Sequence, residues 1–213
     1  MNVPVPEIVL LSGSLGEESK TNRIASWCAL QCGPRASTTL FTGADLEFPF
    51  YRPHASDTAH AARRFLAALE RADGVVIVSP TYHGTTSGLL KNALDYVNEL
   101  AQAPQPYLDG RALGCVSVGL GEQGAASTLQ TLRTVGHALR GWPTPMGVAL
   151  SNSRTSMDEH GAPFDEHARA QLKVMLQQVL TLARLNARRR ANATAAAPNT
   201  AGHPEPASAG GTR

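Results

Sequence analysis

Residues 74–80 read GVVIVSP, and the four residues 75–78 in the middle of this stretch are all β-branched. An unbroken run of β-branched residues is typical of a strand that is buried on both faces of a sheet. Strands of this kind belong to parallel sheets with helices on both sides. We therefore predict a central parallel strand over 75–78.

Strand-like apolar runs alternate with longer segments of helical period on both sides of this central strand. Such alternation predicts a parallel sheet covered by helices. Five strands and five helices predict a doubly wound α/β domain, for which we choose the flavodoxin-like order 2-1-3-4-5. The predicted strands are 7–11, 37–42, 75–78, 112–118 and 146–150, and the predicted helices are 19–31, about 57–73, 89–100, about 124–141 and 165–186.

Composition divides the chain into one domain and a tail. Residues 1–186 have the hydrophobic content of a folded α/β domain, whereas residues 187–213 consist largely of Ala, Gly, Pro, Thr and Ser. A segment so poor in apolar side chains cannot offset its ordering entropy, so we expect the tail to be disordered. The net charge of +2 signals neither nucleic acid nor an anionic membrane as a partner.

The chain has three cysteines, Cys28, Cys32 and Cys115, without a CxxC pair. We interpret them as buried, reduced thiols, because no histidine or acid is placed to activate one. No secretory signal opens the sequence, so the expected location is the cytoplasm. No metal-ligand spacing and no catalytic triad is found, and we predict neither a metal site nor a catalytic side chain.

The loop after the first predicted strand has the composition of a phosphate site. Residues 12–22 read SGSLGEESKTN and run directly into a helix. Backbone N–H groups, hydroxyls and a helix N-terminus together bind phosphate well. The loop has no GxxxxGK[ST] pattern, and a single phosphate such as that of FMN suits it better than a triphosphate. A hydroxyl-rich helix cap without a ligand is the alternative.

The loop after the central strand carries the most specific pattern. Residues 79–95 read SPTYHGTTSGLLKNALD. This stretch resembles the NADPH-dependent FMN reductase family, whose pattern is S/T-P-x-Y-x-G/A-x-x-x-G-x-L-K-N-x-x-D. The family's phosphate loop, GSxRxxSxT, corresponds to Gly13, Ser14, Ser19 and Thr21. Gly16 stands where many members have arginine, and His83 stands where many have asparagine.

The resemblance implies an oxidoreductase that passes hydride from NADPH or NADH to bound FMN and on to a small acceptor that is quinone-like, aromatic or a flavin. It also implies a homodimer or homotetramer. In this family the second loop lies along the isoalloxazine ring, with backbone amides at its pyrimidine edge. The residues expected to bind the cofactor are Ser14, Ser19, Thr21, Asn22, Pro80, Thr81, Tyr82, His83, Gly84 and Gly121. For Lys91 and Asp95 we favour polar contacts at the helix start and between subunits.

A third loop, residues 119–124, reads GLGEQG and matches the GxGxxG pattern of dinucleotide-binding proteins. The match follows the fourth predicted strand instead of the first, and no acid lies between Glu122 and Asp158 to bind a ribose. We interpret the loop as a border of the flavin ring, with a plain glycine turn as the alternative.

Two other classes of protein remain open at this stage. One is a flavodoxin-type electron carrier, although carriers of that kind tend to be strongly acidic and this chain is not. The other is a flavin-dependent regulator without nicotinamide turnover.

Overall fold

The structure is a computed structural model that describes residues 4–16, 18–53, 60, 62–151 and 156–196. Strands and helices alternate along most of the chain. The strands are β1 (Glu7–Ser12), β2 (Ser37–Thr42), β3 (Gly74–Tyr82), β4 (Thr85–Thr86), β5 (Ala112–Gly119), β6 (Trp142–Pro143) and β7 (Val148–Ser151), and the α-helices are α1 (Lys20–Cys32), α2 (Arg63–Arg71), α3 (Gly88–Asp95), α4 (Glu122–Ala138) and α5 (Glu166–Ala196).

The central sheet is parallel in the order β2-β1-β3-β5, with β6 and β7 both pairing with β5 on its outer side. In register, Leu10 lies between Leu40 of β2 and Val76 of β3. The strand order reverses between β1 and β3, as in flavodoxin-like folds. The predicted fold class and strand order are therefore confirmed.

The number of strands differs from the prediction, because the sheet has seven strands instead of five. The predicted fifth strand, 146–150, corresponds to β7, and the short additional strand β6 precedes it; β6 pairs with the start of β5 and β7 with its end. Pro143 and Pro145 lie at and after the end of β6, and proline cannot donate to a strand ladder. The other additional strand, β4, forms a short antiparallel hairpin with the end of β3.

Helices cover both faces of the sheet. On one face α1 and α5 pack against the strands, and Trp27 of α1 is buried there. On the other face α2, α3 and α4 pack around Phe65, Leu90 and Leu132. The two apolar cores hold the strands rigidly, so the loops at the carboxyl edge extend from a fixed frame.

The last helix corrects the predicted boundary between domain and tail. Helix α5 continues to Ala196, so the predicted end of the domain at residue 186 lies inside a helix. Alanine is the best helix former, and the added turns also make tertiary contacts. Ala187 is buried, and Arg190 donates to Asp73 at 2.8 Å. Residues 197–213 of the predicted tail lie outside the described part of the chain.

Smaller differences concern the helices. The predicted helix 89–100 consists of α3 followed by a 3-10 turn at Tyr96–Leu100. The predicted start of the second helix, at about residue 57, lies outside the described residues. Among the helices in the described part of the chain, none combines the length and the apolar character needed to cross a membrane.

Candidate functional site

Three loops meet at the carboxyl edge of the sheet. Ser12 of β1 lies in register with Val78 of β3, and Pro80 lies in register with Val118 of β5. The loops after β1, β3 and β5 therefore emerge side by side at the point where the strand order reverses. This crevice is where open α/β sheets bind ligands.

The first loop is folded by its own polar side chains. Ser19 is the N-cap of α1, where its hydroxyl accepts from the Thr21 amide at 3.2 Å and lies 2.7 Å from the Thr21 hydroxyl. Asn22 accepts from the Ser12 hydroxyl at 2.5 Å and donates to the Gly16 carbonyl at 2.9 Å. Capping therefore accounts for Ser19, and Asn22 shapes the loop from within.

The same loop retains capacity for an anion. No described residue accepts from the backbone N–H groups of Ser14 and Leu15. Helix α1 begins at Lys20 and has no acid in its first turn, although the exposed Glu18 precedes its cap. Free amides beside the positive end of a helix dipole suit a phosphate group. The arrangement fits the terminal phosphate of a mononucleotide.

The second loop is a two-residue hairpin. Tyr82 pairs with Thr85 and Thr81 with Thr86, so His83 and Gly84 form the turn. Both have positive φ, 51° at His83 and 83° at Gly84, which defines a type I′ turn. The imidazole of His83 is exposed. His83 has a left-handed backbone conformation, which Asn or Gly adopts more easily than histidine does.

The hairpin exposes backbone amides and an aromatic ring. In the described part of the chain, the amides of His83 and Gly84 have no acceptor. A Cβ atom added at Gly84, Gly88 or Gly121 would meet nothing within 4 Å, so open space adjoins these three positions. The side chain of Tyr82 is 54% exposed. Open glycine backbone with free amides fits a flat heterocycle with a polar edge.

Below the hairpin, buried hydroxyls fix its base. Ser79 donates to the Pro80 carbonyl at 2.7 Å, and its oxygen lies 2.8 Å from the Thr86 hydroxyl. The Ser87 amide donates to Ser79 at 3.3 Å. The peptide bond before Pro80 is trans, since the described residues contain no cis peptide. Pro80 and Thr81 therefore continue β3 toward the crevice instead of turning away from it.

The third loop is shorter than the sequence pattern suggests. Gly121 is the N-cap of α4, and Gly124 already lies inside that helix. Thr81 packs against both Gly119 and Gly124, whose added Cβ atoms would lie 3.2 Å from its side chain. The hydroxyl oxygen of Thr81 is buried there and has no partner among the described residues. The glycines thus allow close packing of β3 against α4, and only Gly121 faces open space.

Several residues near the site have structural roles. Lys91 and Asp95 form an ion pair at 2.6 Å within α3, and their predicted contacts between subunits stay a prediction. Asn92 binds the loop over α3, accepting from the Tyr51 amide at 2.9 Å and donating to the Phe48 and Pro49 carbonyls.

The cysteines are buried, as predicted, and burial raises the pKa of the Cys115 thiol to about 12. Burial likewise raises the pKa values of the Cys28 and Cys32 thiols. Within the described ranges no cluster of His, Cys, Asp and Glu could hold a metal ion.

Two site residues were missed by sequence reasoning. Ser87 donates its hydroxyl to the first loop, and Ser127 of α4 donates to Gly84 at the tip of the hairpin, at 2.7 Å. Ser127 lies 43 positions from Gly84 in a helix with no motif around it, so only the tertiary structure brings it to the site.

The fold, a candidate phosphate site and an open glycine-rich face are those expected of a flavodoxin-like mononucleotide-binding protein. The model of the NADPH-dependent FMN reductase family matches residues 6–155, and the chain belongs to this family. The match spans all three loops. It confirms the predicted family together with an oxidoreductase class that uses FMN and NADPH.

Individual relatives have similar descriptions. The chain is 28% identical over 139 residues to an FMN-dependent NADPH-azoreductase of Staphylococcus haemolyticus, covering 64% of this chain and 70% of that protein. It is 32% identical over 106 residues to an FMN-dependent NADPH-azoreductase of Staphylococcus aureus. That second match covers 49% of this chain and 52% of the relative, so it spans about half of each protein.

Among solved structures, the fold resembles the flavoenzyme NAD(P)H:(acceptor) oxidoreductase from Paracoccus denitrificans. The TM-score is 0.70 at 17% identity, over 85% of this chain and 99% of that chain. At this level of identity the likeness concerns the fold alone.

Proposed function

We propose that this protein is an NADPH-dependent, FMN-containing oxidoreductase whose acceptor is a small aromatic molecule of the azo or quinone type. The observation that carries the proposal is the pairing of an anion cradle after β1 with an open, amide-lined hairpin after β3. The spacing between the two loops is set by neighbouring strands β1 and β3, which are hydrogen-bonded along their length.

Each loop has a distinct role in holding the cofactor. The amides of Ser14 and Leu15, with the hydroxyls of Ser14, Ser19 and Thr21, would hold the phosphate. The amides of His83 and Gly84 would donate to the polar edge of the ring. Gly121 would border the ring from the side of α4. When bound, FMN supplies the two-electron chemistry, taking hydride from a reduced nicotinamide and delivering it to the acceptor.

The chain itself contributes to turnover by binding the cofactor and by leaving space for the acceptor beside it. No side chain in the described part of the site is needed as an acid or base for hydride transfer. Tyr82 offers an exposed aromatic face beside the hairpin, on which a flat acceptor can stack. The azoreductase descriptions of the relatives support an aromatic acceptor.

The test is an anaerobic titration of the FMN-loaded protein. We expect stoichiometric NADPH to bleach the flavin absorbance and an azo dye or quinone to restore it. A parallel titration with NADH measures the preference between the two nicotinamides. If dithionite bleaches the flavin but neither nicotinamide does, the protein is an electron carrier or a flavin-dependent regulator instead.

We also propose a cytoplasmic homodimer or homotetramer. The exposed apolar side chains Phe50 and Leu120 support an assembled form, since each is more than 80% exposed in the single chain. Sedimentation equilibrium of the FMN-loaded protein measures the assembly directly. A monomer with full turnover would contradict this part of the proposal.

A further inference from the structure

Ser127 of α4 makes a hydrogen bond that its position in the sequence does not predict. Its hydroxyl donates to the carbonyl oxygen of Gly84 at 2.7 Å. Gly84 is the second residue of the type I′ turn, and Ser127 is exposed on the second turn of α4. The bond therefore joins the tip of the β3–β4 hairpin to a separate helix.

The same face of α4 already contacts the base of the hairpin. Gly124 lies one helical turn before Ser127, and residues three apart share a helix face. An added Cβ at Gly124 would lie 3.2 Å from Thr81, so helix and strand are in close contact at that level. Ser117 of β5 also donates to the Ala125 carbonyl at 2.6 Å, which fixes the first turn of α4 against the sheet.

The hairpin tip needs an external anchor. Only two residue pairs, Thr81 with Thr86 and Tyr82 with Thr85, connect its strands, and short two-stranded hairpins are marginal on their own. Gly84 adds conformational freedom, because glycine restricts its backbone least. Fixing the Gly84 carbonyl fixes the turn, and with it the free amides of His83 and Gly84.

We propose that Ser127 is a positioning residue that holds the hairpin amides in the orientation that binds and tunes the flavin ring. This inference deepens the proposed function and rests on it. Ser127 does not itself touch the cofactor in this scheme; it acts through Gly84. The hairpin and α4 then form one unit at the border of the site.

The test compares three variants in the full-length, FMN-loaded protein. Ser127→Ala removes the hydroxyl, and Ser127→Thr retains it as a conservative rescue. Thr134→Ala is the matched control, because Thr134 is exposed on the same helix and its hydroxyl bonds only within the helix, to Gln130 at 3.0 Å. The measurements are the dissociation constant for FMN, the midpoint potential of bound flavin, and the thermal midpoint of the apoprotein.

We expect Ser127→Ala to weaken FMN binding by about threefold to tenfold, the range for one lost hydrogen bond, and to shift the midpoint potential. The thermal midpoint of the apoprotein should match that of the control, and Ser127→Thr should restore both flavin properties. If wild type is bleached by NADPH while Ser127→Ala equals Thr134→Ala in affinity and potential, this inference is overturned and the proposed function stands. If wild type binds no FMN, both are overturned.

Discussion

The hydroxyl of Ser87 donates to the carbonyl oxygen of Gly13 at 2.7 Å and thereby joins the two ligand loops of the site. Ser87 is also the N-cap of α3, where it accepts from the Leu90 amide at 3.2 Å. Gly13 has no room for a side chain, since an added Cβ would lie 2.7 Å from the Ser87 oxygen. One buried hydroxyl thus fixes the distance between the phosphate loop and the start of α3.

Replacing Ser87 with alanine should lower the free energy of unfolding by about 2–4 kcal/mol, from the lost cap and a buried carbonyl left unpaired. Urea unfolding measures this change. FMN affinity should fall as well, because the two loops lose their connection. The control is Ser26→Ala, an exposed position on α1 where we expect a change below about 0.5 kcal/mol. Equal stability of the two variants would contradict the role of Ser87.

Ser19→Asp separates capping from phosphate binding. Aspartate caps a helix as well as serine and suits the positive end of the dipole, so the apoprotein should be as stable as wild type. The added negative charge should repel the phosphate and weaken FMN binding at least tenfold, about 1.4 kcal/mol. Fluorescence titration with FMN measures the affinity. Ser37→Asp, at the opposite edge of the sheet, should leave FMN affinity unchanged; an unchanged affinity in Ser19→Asp would remove Ser19 from the site.

Substitutions of His83 test whether the conformation of the hairpin turn matters for FMN binding. Asparagine tolerates positive φ, so His83→Asn should retain both stability and FMN binding. Valine does not, and His83→Val should cost about 1–2 kcal/mol and weaken FMN binding. Thermal unfolding and FMN titration of the two variants give the comparison. If His83→Asn binds FMN as poorly as His83→Val, the imidazole matters for binding more than the turn does.

Asp73 should make the stability of the protein depend on pH. Its side chain is 4% exposed, and burial raises its pKa although the Glu7 amide and Arg190 oppose the shift. A carboxyl whose pKa is higher in the folded state stabilises the fold below its unfolded pKa of about 3.9 and loses that contribution as the pH rises through the folded pKa. Relative to Asp73→Asn, wild type should therefore be most stable at low pH and lose this advantage as the pH rises.

Urea unfolding of wild type and Asp73→Asn between pH 3 and pH 7 measures the difference. Asp109→Asn is a suitable control, because Asp109 is exposed and lies near the same edge of the sheet. The opposite result is that wild type gains in free energy of unfolding over Asp73→Asn as the pH rises. That result would show that the attraction of Arg190 for the Asp73 carboxylate outweighs the cost of burying it.

Local patterns predicted the elements whose boundaries depend on local chemistry. Strand β2 has the predicted bounds Ser37–Thr42, and Ser19 caps α1 as its position before a helical pattern indicates. The end of α5 was placed ten residues too early. Composition cannot reveal that Asn186 donates to the Gly110 carbonyl at 2.9 Å, or that Arg190 reaches Asp73. Strand β6 was not predicted, because a two-residue strand that includes Pro143 has no apolar run to reveal it.

The predicted phosphate-loop residues are neighbours in sequence and share one helix start, so a linear motif suffices to group them. Ser87 and Ser127 were not predicted, since their partners lie 74 and 43 positions away. Such contacts depend on the order of the strands in the sheet and on the position of each helix along it. The sequence motif therefore predicts which loops would face the ligand, while the residues that hold those loops in place follow only from the packed structure.

The gap between strands β6 and β7 has a consequence for how copies of this chain can meet. A continuous edge strand offers a row of unpaired amides that can recruit a strand from another molecule and start aggregation. Here the outer edge is interrupted after two residues, and Pro143 and Pro145 have no amide hydrogen to offer. The β6 part of this edge is therefore poorly suited to strand addition, because a two-residue strand that ends in proline has little backbone to pair.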